Sequence, residues 1–550
     1  MTPTDADASS GRAERIRDEV VAELPRYAEW LHSPAENELL VRIHHGQLPA
    51  LAAFLAERRM RLVTVVGNDE RELEDRCFKI YYVFEHLQAP LVVLAEYLLQ
   101  RGSTEYDSLR EVFRAADPFE RQLSDLLGLR PRGRRARSAG LLHPSRPEGF
   151  RPLQRDQPTV APAEPVIAPD PDPDPTGPDA ELPPGRRVVL PIGPVHAGVI
   201  EPGLFRFRVE GETIEDVEIR LGFTHRGLER LFQAQLPLLD GWRLAEQVSG
   251  DSCVAHALAY CRAAEILAEG EPPTAAVLLR EVLLELERIH NHVADVGTLA
   301  EDVALDVPAA EISVLRESLL RLNQRVSGHR YLRGAVRPGG VALPRPLDDA
   351  DLSRTLSGCV GRFVRLAATI TSHPGFRTRT IGVGVLTEAE VLELGVTGLV
   401  ARASTPRSDT PRGIPGEEGA GDVYARCLRR IAEVEQAHRR VLDLVTTWSQ
   451  IPEPTRSDLR SRLRIRPENN YTFAVGRSEG FRGEVVYWLM QDKLDGIYRC
   501  KVADPSTVNW PALRQALLPR TGPSGALETV LADFPLVNKS FGLSYAGTDL

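Results

Sequence analysis

One histidine, His196, lies in a segment whose composition suits proton chemistry. Its surroundings read PVHAG, which predicts an imidazole in a tight, glycine-containing turn. An imidazole exchanges a proton near pH 7 and can donate a hydrogen bond to a carbonyl oxygen of a bound molecule. The alternative is a ring that only satisfies a backbone carbonyl of the turn. The residue types leave both roles open for His196.

A second group consists of three titratable residues on one predicted helix. Glu285, Arg288 and His292 follow one another at positions i, i+3 and i+7, which places them on the same helix face. They could form an internal charged relay if that face is buried. The same spacing is common on solvated helix surfaces, where it contributes little.

A third group occupies the run THRGLE, which contains His225, Arg226 and Glu229. The run has the composition of a helix start, with Thr224 as the predicted N-cap. These charged side chains either tune a neighbouring charged group or only cap a helix at the surface.

The cysteines argue against the common metal and disulfide patterns. The six cysteines form no C-x-x-C pair; they are Cys77, Cys253, Cys261, Cys359, Cys427 and Cys500. This scatter is not the spacing of iron–sulfur clusters, structural zinc or a disulfide framework, and it favours a reducing compartment. No glycine-rich phosphate loop follows a predicted strand, so direct NADH binding by this chain is not indicated.

Composition excludes several other classes of protein. The formal net charge is −10, which does not indicate nucleic-acid binding, and we interpret the basic run at residues 130–138 as solvated chain. The polar start lacks the apolar core of a secretory signal, and the apolar run at residues 89–99 is too short to span a bilayer. We therefore expect any membrane contact to go through partners.

The elements that must position these residues fall into an α+β chain with two domains. We expect a tail at residues 1–36, a small α+β domain at 37–156, and a linker at 157–185 whose proline and aspartate content prevents core formation. Residues 186–550 then form a mainly helical domain that starts with a β-hairpin or small sheet.

Periodicity predicts the elements inside the two domains. The first domain has predicted strands at 61–66 and 77–84 and an amphipathic helix at 119–129. The second has four long predicted helices, at residues 274–296, 312–326, 349–370 and 422–448, and a long loop at 402–421. Asp504 and Asn509 are predicted to fix a turn.

Several sequence blocks resemble one family over most of the chain. They read GPVHAG, THRGLE, ELERIHNHVADVG, LRGAVRPGGV, DPSTVNWPAL and NKSFGLSYAGTDL. These blocks resemble the large subunits that unite group 4 nickel–iron hydrogenases with the 49-kDa subunit of complex I. FERQLSDLLGL and the following GFRPL resemble the 30-kDa subunit of complex I. The resemblance implies the fused 30-kDa plus 49-kDa arrangement of formate hydrogenlyase and hydrogenase-4 type complexes.

In that family the nickel–iron group is held by four cysteines, and this chain has none of them. The corresponding positions are Ser249, Ser252, Ser544 and Gly547. Nickel and low-spin iron need soft thiolate ligands, so the replacement predicts that hydrogen turnover is lost and that no metal is held here. Cys253 lies one residue beyond a ligand position; a shifted ligand is the alternative to a small buried apolar residue.

The resemblance also implies a redox role without nickel. In complex I the corresponding space lies near the quinone headgroup, and His196 falls on the histidine that contacts that headgroup. The tyrosine that pairs with this histidine has no counterpart here, because Tyr260 has the wrong spacing. The resemblance places THRGLE near an iron–sulfur subunit. Arg337, Asp409 and Arg412 lie in or beside family blocks, without an assigned role.

We therefore expect a peripheral subunit at the cytoplasmic face of the cell membrane. Its partners would be an iron–sulfur small subunit and antiporter-like and other membrane subunits, and its acceptor would be quinone or a similar molecule. The rival interpretation is a structural subunit that docks the iron–sulfur subunit onto the membrane module without redox chemistry.

Overall fold

A computed structural model describes residues 15–33, 37–133, 141–142, 149–158, 187–196, 200–405, 419–466, 470–493, 495–522, 525–527 and 529–550. The chain forms two compact units, residues 1–168 with 393–395, and residues 169–392 with 396–550. The boundary after residue 168 falls inside the segment predicted as a linker. The predicted α+β class is confirmed in both units.

The first unit is built on a five-stranded sheet in the order β1-β2-β5-β4-β3. Its strands are β1 (Ala28–His32), β2 (Glu38–Ile43), β3 (Met60–Glu70), β4 (Cys77–His86) and β5 (Val92–Leu98). All neighbours are antiparallel except β2 and β5. The first unit also contains helices α1 (Leu48–Glu57) and α2 (Ala116–Leu127). Two short strands, β6 (Glu105–Tyr106) and β7 (Arg130–Pro131), pair with each other.

Glycine allows α2 to approach β3 closely. A Cβ atom at Gly67 would overlap the side chains of Leu123 and Leu127, so only glycine fits beneath the helix. The apolar face of α2 is buried here, which accounts for its amphipathic sequence.

Part of the predicted tail belongs to this sheet. Strand β1 pairs with β2, and Val20 and Leu24 are buried. The segment reads AEWLH and is mostly exposed. An edge strand with so few buried positions carries little of the period-two pattern that identifies strands in a sequence.

The second unit begins with a three-stranded antiparallel sheet in the order β10-β9-β8. The strands are β8 (Arg187–Ile192), β9 (Leu204–Glu210) and β10 (Thr213–Arg220), as expected from the sequence. A second antiparallel sheet, β13-β14-β15, comprises Phe473–Glu479, Glu484–Gln491 and Ile497–Ala503. Two short hairpins pair β11 (Val336–Arg337) with β12 (Gly340–Val341), and β16 (Arg520–Gly522) with β17 (Gly525–Leu527).

The helices of the second unit follow the predicted segments closely. The long ones are α6 (Thr274–Asp302), α7 (Asp306–Ser327), α8 (Asp349–Ser372) and α12 (Val423–Ser449). Shorter ones are α3 (Leu228–Gln235), α4 (Trp242–Ala245), α5 (Cys253–Leu267), α9 (Pro374–Thr380), α10 (Glu388–Leu394), α11 (Gly398–Ser404), α13 (Pro505–Leu517), α14 (Phe534–Phe541) and α15 (Tyr545–Asp549). Within the described ranges, none of the helices has the length and apolar character needed to cross a bilayer.

The sheet β13-β14-β15 is absent from the sequence prediction. Its central strand contains VVYWLM, a continuous apolar run buried on both faces. A run of this kind lacks strand periodicity and cannot be told from a buried helix segment. Helix α11 also extends into the predicted loop at 402–421, and residues 406–418 of that loop lie outside the described residues.

Candidate functional site

The two segments that resemble metal-binding motifs meet in the second unit. Ser249 and Ser252 lie between α4 and α5, and Ser544 immediately precedes α15. The hydroxyl oxygens of Ser249 and Ser544 are 2.9 Å apart, although the residues are separated by 295 positions. All three serines are buried. The fold thus brings the vacated ligand positions together and joins them by a hydrogen bond.

These residues do not fit a nickel–iron group. Serine hydroxyls and glycine offer no soft anionic ligand. At Gly547 the space is filled as well: a Cβ atom there would lie 2.5 Å from Oδ2 of Asp504 and 3.0 Å from Oγ of Ser544. A cysteine at this position would therefore collide with a carboxylate before it could reach a metal.

Cys253 does not replace the missing ligands. Its side chain is buried, and burial raises the pKa of its thiol to about 12. The thiol donates to the carbonyl oxygen of Gly250 at 3.0 Å and lies 3.3 Å from Nε of Arg333. One buried thiol held by these contacts does not supply the set of converging thiolates that a nickel–iron group needs.

An arginine from another element is held beside the vacated positions. Arg482 lies in the turn between β13 and β14, where Gly480 and Gly483 exchange backbone hydrogen bonds. Its two terminal nitrogens donate to the two carboxylate oxygens of Asp251, each at 2.7 Å, and one also donates to Oγ of Ser252 at 3.0 Å. Such a bidentate pair fixes geometry as well as charge.

The ion pair determines the charge of Asp251. Burial alone would raise the pKa of Asp251, but the adjacent Arg482 guanidinium holds it well below its ordinary value. Nε of Arg482 also donates to the carbonyl oxygen of Gly542. One guanidinium therefore links the α4–α5 turn, the β13–β14 turn and the segment before α15.

Asp504 anchors a second polar group in the same region. It caps α13 by accepting from the backbone N–H of Ser506 at 2.7 Å. Nε2 of His256 donates to Oδ2 of Asp504 at 3.1 Å, and Nδ1 of His256 lies 3.0 Å from the hydroxyl of Tyr487. Burial opposes ionisation of Asp504, yet the hydrogen bond from His256 lowers its pKa below the ordinary value.

The turn prediction for Asp504 and Asn509 is wrong for Asn509. Asp504 precedes a helix as its N-cap, whereas Asn509 lies within α13. Oδ1 of Asn509 accepts from the backbone N–H of Thr397 at 3.0 Å. Turn-forming residue types cannot be told from tertiary hydrogen-bonding residues by sequence alone.

A buried carboxyl holds the start of α5. The two carboxyl oxygens of Glu287 accept from the backbone N–H groups of Val254 at 2.6 Å and Ala255 at 3.1 Å. These are N–H groups that the helix itself leaves without partners. Burial raises the pKa of Glu287 to about 8, against the lowering effect of the two N–H groups. Glu287 is therefore easier to protonate than a solvated glutamate.

His196 contacts a tyrosine that the sequence did not predict as its partner. Nε2 of His196 lies 3.3 Å from the hydroxyl of Tyr545, and Nδ1 lies 3.2 Å from the carbonyl oxygen of Pro194. A carbonyl only accepts, so Nδ1 carries the proton and Nε2 faces the tyrosine as an acceptor. The side-chain amide of Asn538 donates to the Tyr545 hydroxyl at 3.3 Å, which leaves its proton directed at His196.

The environment keeps the Tyr545 phenol protonated. The side chain is buried, and Trp510 packs edge-on against its ring at 4.8 Å. Burial raises the pKa of Tyr545 to about 12. His196 is half-buried and its neighbour Val195 is 82% exposed, so a dissolved molecule can approach the pair. Tyr260, in contrast, is buried and donates to the Leu238 carbonyl at 2.7 Å.

The THRGLE run binds the last helix, α15. The prediction that Thr224 is an N-cap is wrong. Helix α3 starts at Leu228 and is preceded by Gly227. The hydroxyl of Thr224 donates instead to Oδ2 of Asp549 at 2.6 Å, and Nδ1 of His225 donates to the Asp549 carbonyl at 2.7 Å. Thr224 is not at the cap position because the helix begins four residues later, at Leu228, and Gly227 precedes it.

The charged members of THRGLE have different environments. Arg226 is exposed and donates to the carbonyl oxygens of Gln247 and Val248 at 2.7 and 2.8 Å. Glu229 is buried and pairs with Arg499 at 2.7 Å and Lys501 at 2.9 Å. Thus Arg226 lies at the surface beside the vacated positions, whereas Glu229 ties α3 to β15.

The predicted helix face of Glu285, Arg288 and His292 is buried against α12. Arg288 pairs with Glu285 at 2.9 Å, and Glu433 of α12 lies 3.0 Å from Nε2 of His292 and 3.5 Å from Arg288. Burial lowers the pKa of His292, which favours its neutral form. Glu433 thus joins the predicted residues into one network, and a relay function stays a prediction.

Of the three residues without an assigned role, the structure describes only Arg337. Arg337 stacks over Trp242 at 5.1 Å and donates to the Gly334 carbonyl at 3.0 Å. Asp409 and Arg412 lie outside the described residues.

Three central residues escaped the sequence analysis, namely Asp251, Arg482 and Tyr545, and a fourth, Asp504, was predicted only as a turn residue. Asp251 stands between two vacated positions and Tyr545 directly follows a third, so proximity to these positions is a signal that could have identified both. Arg482 and Asp504 reach the site only through the tertiary fold.

The chain combines a small N-terminal α+β unit with a larger, mainly helical unit. In the larger unit, hydrogen-bonded serines stand at three of the four positions that correspond to metal ligands. Two family descriptions match, the 49 Kd subunit of respiratory-chain NADH dehydrogenase over residues 302–470 and its 30 Kd subunit over residues 41–163.

Curated relatives extend the match. Formate hydrogenlyase subunit 5 of Escherichia coli strain K12 is 28% identical over 94% of this chain and 89% of its own length. Hydrogenase-4 component G of the same strain is 27% identical over 99% of this chain and 94% of its own length. An NADH-quinone oxidoreductase subunit of Clostridium beijerinckii is 30% identical over 59% of this chain and 89% of its own length. The chain belongs to the family of complex I 30-kDa and 49-kDa subunits and the related hydrogenase large subunits.

Proposed function

We propose that this chain is the electron-transfer subunit of a membrane-associated complex, passing electrons from a partner iron–sulfur subunit to a quinone without a nickel–iron centre. The hydrogen-bonded pair of His196 and Tyr545 carries this proposal. Tyr545 directly follows the vacated position Ser544, so the pair lies next to the place where the hydrogenase relatives hold metal.

We propose that the acceptor binds at the outer edge of His196 and not in the space between the former ligand positions. The Ser249–Ser544 hydrogen bond and the Asp504 carboxylate fill the space between the former ligand positions. His196, by comparison, is half-buried beside an exposed turn. The half-buried ring and the exposed turn support approach of a planar headgroup from outside.

The chemistry requires two electrons and two protons for each quinone reduced to quinol. The partner's cluster supplies the electrons. His196, once protonated, donates one proton from Nε2 to a quinone oxygen, while the Tyr545 hydroxyl, held by Asn538, orients the imidazole. Solvent reprotonates the imidazole through the exposed turn around Val195, and a second transfer by the same route completes the quinol.

The names of the relatives support the proposal that this chain is part of a multi-subunit complex. They describe components of hydrogenases, of formate hydrogenlyase and of NADH-quinone oxidoreductase. By analogy, we propose an iron–sulfur small subunit and antiporter-like membrane subunits as partners, at the cytoplasmic face of the membrane. Exposed Arg226 is the proposed contact for the iron–sulfur subunit, and NADH or formate oxidation belongs to another subunit.

The proposal predicts a graded loss of quinone reduction in the purified complex. Tyr545→Phe removes only the hydroxyl and is expected to lower the rate about tenfold, whereas His196→Gln is expected to lower it about a hundredfold, within the range of general acid catalysis. Tyr260→Phe is the matched control, because it removes a buried hydroxyl that does not contact His196.

Wild-type quinone reduction in both variants, with the complex assembled, would contradict the proposal. That result would favour a structural subunit that docks the iron–sulfur subunit onto the membrane module, a role supported by the closed network around Arg482. Nickel in a one-to-one ratio with the chain would contradict both interpretations.

A further inference from the structure

Two arginines stand at the ends of one cross-strand row in the second unit. Arg337 of β11 lies opposite Gly340 of β12, and Gly340 in turn lies opposite Arg460 of an adjoining segment. The backbone N–H of Ser461 holds this segment by donating to the Gly339 carbonyl at 2.9 Å. Residues that lie directly opposite each other in antiparallel strands project their side chains to the same face. The two arginines, which we call the arginine pair, therefore extend on one side of the row.

The position between the two arginines has no side chain. A Cβ atom at Gly340 would overlap the carbonyl oxygen of Leu459, so only glycine fits there. Neighbouring strands lie about 4.8 Å apart, so the row separates the backbones of Arg337 and Arg460 by roughly 10 Å. The row is thus a gap with a guanidinium group on each side.

The arginine pair has no carboxylate partner in the part of the chain that the structure describes. No carboxylate oxygen there lies within 4.0 Å of either guanidinium group, although the nearby Arg466 pairs with Glu269 at 2.9 Å. Nε of Arg337 donates to the Gly334 carbonyl at 3.0 Å, whereas its two terminal nitrogens have no hydrogen-bond partner among the described residues. These donors are available to a ligand.

Positive charge accumulates around the row. Arg337 and Arg243 both stack over the ring of Trp242, with their guanidinium carbons 5.1 and 5.2 Å from its centroid. Burial lowers the pKa of Arg337, and the nearby charges of Arg460 and Arg243 lower it further. Like charges held this close repel one another, so an anion bound between them lowers the electrostatic energy.

Two carboxyl groups near the row do not neutralise the arginine pair. Glu246 is buried and accepts from the backbone N–H of Gly334 at 2.6 Å. Burial raises the pKa of Glu246 to about 7, so it is easier to protonate than a solvated glutamate. Asp240 lies 3.4 Å from Nε of Arg243 and compensates that arginine. The charges of the arginine pair stay open to an external anion.

We propose that the arginine pair binds a phosphate group. A phosphate monoester carries a charge of about −1.5 to −2 at pH 7 and three strong acceptor oxygens. These oxygens point to different sides, so one phosphate in the gap can accept from Arg337 and Arg460 at once, at roughly 2.8 Å for each charge-assisted bond. Free phosphate, a small phosphate ester and a phospholipid headgroup share this chemistry.

The first test is calorimetric titration of the full chain with inorganic phosphate at low salt. R460Q is expected to weaken binding about tenfold, and R337Q/R460Q to abolish it, because each guanidinium supplies a charge-assisted hydrogen bond. The side chain of Arg460 forms no hydrogen bond or ion pair with the described residues, so R460Q should leave the fold intact. The control R362Q/R365Q removes two exposed arginines of α8 and should leave the affinity unchanged.

A parallel titration with phosphatidylglycerol vesicles distinguishes the two sources of phosphate. Binding of inorganic phosphate without binding of vesicles would assign the site to free phosphate or a small phosphate ester. Vesicle binding that is lost in R337Q/R460Q and kept in R362Q/R365Q would assign it to a lipid headgroup. Binding of neither probe, or equal binding by wild type and R337Q/R460Q, would overturn the proposal.

A second measurement locates the bound probe on the unaltered chain. Phenylglyoxal modifies accessible guanidinium groups, and peptide mass spectrometry measures the rate at each arginine. A saturating concentration of the probe that binds should slow modification of Arg337 and Arg460 about tenfold, because the bound form is not modified. The rate at the exposed Arg365 should not change. A probe that binds without protecting Arg337 and Arg460 lies elsewhere, which would also overturn the proposal.

Discussion

Replacement of Gly547 by alanine is expected to lower the free energy of unfolding of the second unit by about 3 kcal/mol. The new Cβ would lie 2.5 Å from Oδ2 and 2.6 Å from Cγ of Asp504. Asp504 cannot move away cheaply, because it accepts from Ser506 and from His256 while buried. Chemical unfolding that is followed by a signal from the second unit measures the loss.

Two comparisons isolate the collision as the cause. Gly358 lies on α8 with no atom within 4 Å of a Cβ built there, so Gly358→Ala should be neutral or stabilise by up to about 1 kcal/mol. In an Asp504→Ala background the space is open, and Gly547→Ala should then cost less than about 1 kcal/mol. An equal cost in both backgrounds would show that Asp504 is not the obstacle.

Arg482→Met is expected to destabilise the second unit by about 2–3 kcal/mol at neutral pH. The substitution keeps apolar volume but leaves Asp251 without its counter-ion. Loss of one partner of a fully buried pair costs about 3–5 kcal/mol, and we expect less here because 38% of the Asp251 side chain is exposed. Thermal unfolding of wild type and variant across a pH series measures the difference.

The pH dependence has a defined sign. The folded-state pKa of Asp251 lies below its ordinary value, so its stabilising contribution is present above about pH 4 and is lost as the pH falls through the folded-state pKa. The wild-type advantage should therefore be largest at neutral pH and shrink in acid. Arg354→Met, at an arginine that is 75% exposed and pairs with Asp351, should cost less than about 0.5 kcal/mol. A pH-independent loss for Arg482→Met would contradict the ion-pair explanation.

Helix periodicity predicted the long elements of the second unit well. The segment predicted at 274–296 became α6, Thr274–Asp302, and the one at 422–448 became α12, Val423–Ser449. An apolar stripe sustained over about six turns leaves little ambiguity. The sheet of β13, β14 and β15 was missed because its central strand, β14, is buried on both faces and carries no alternation.

At the candidate site, the family resemblance assigned Ser249 and Ser544 to ligand positions, and their residue types led to the prediction that they do not hold nickel. That the Asp504 carboxylate occupies the side-chain space of Gly547 depends on a helix cap distant in sequence, and the partnership of His196 with Tyr545 spans 349 positions. Contacts of this range follow from the tertiary fold, which a local pattern does not encode.

The hydrogen bonds of the candidate site join distant parts of the sequence, so the site can form only after both partners have been synthesised. Ser249 and Ser544 are 295 positions apart, and Thr224 and Asp549 are 325 positions apart. At a synthesis rate of roughly 5–20 residues per second, the second partner of each bond emerges on the order of 15–60 s after the first. Throughout that interval the α4–α5 turn lacks its partner Ser544, so its polar groups stay accessible to solvent and to chaperones while the rest of the chain is made.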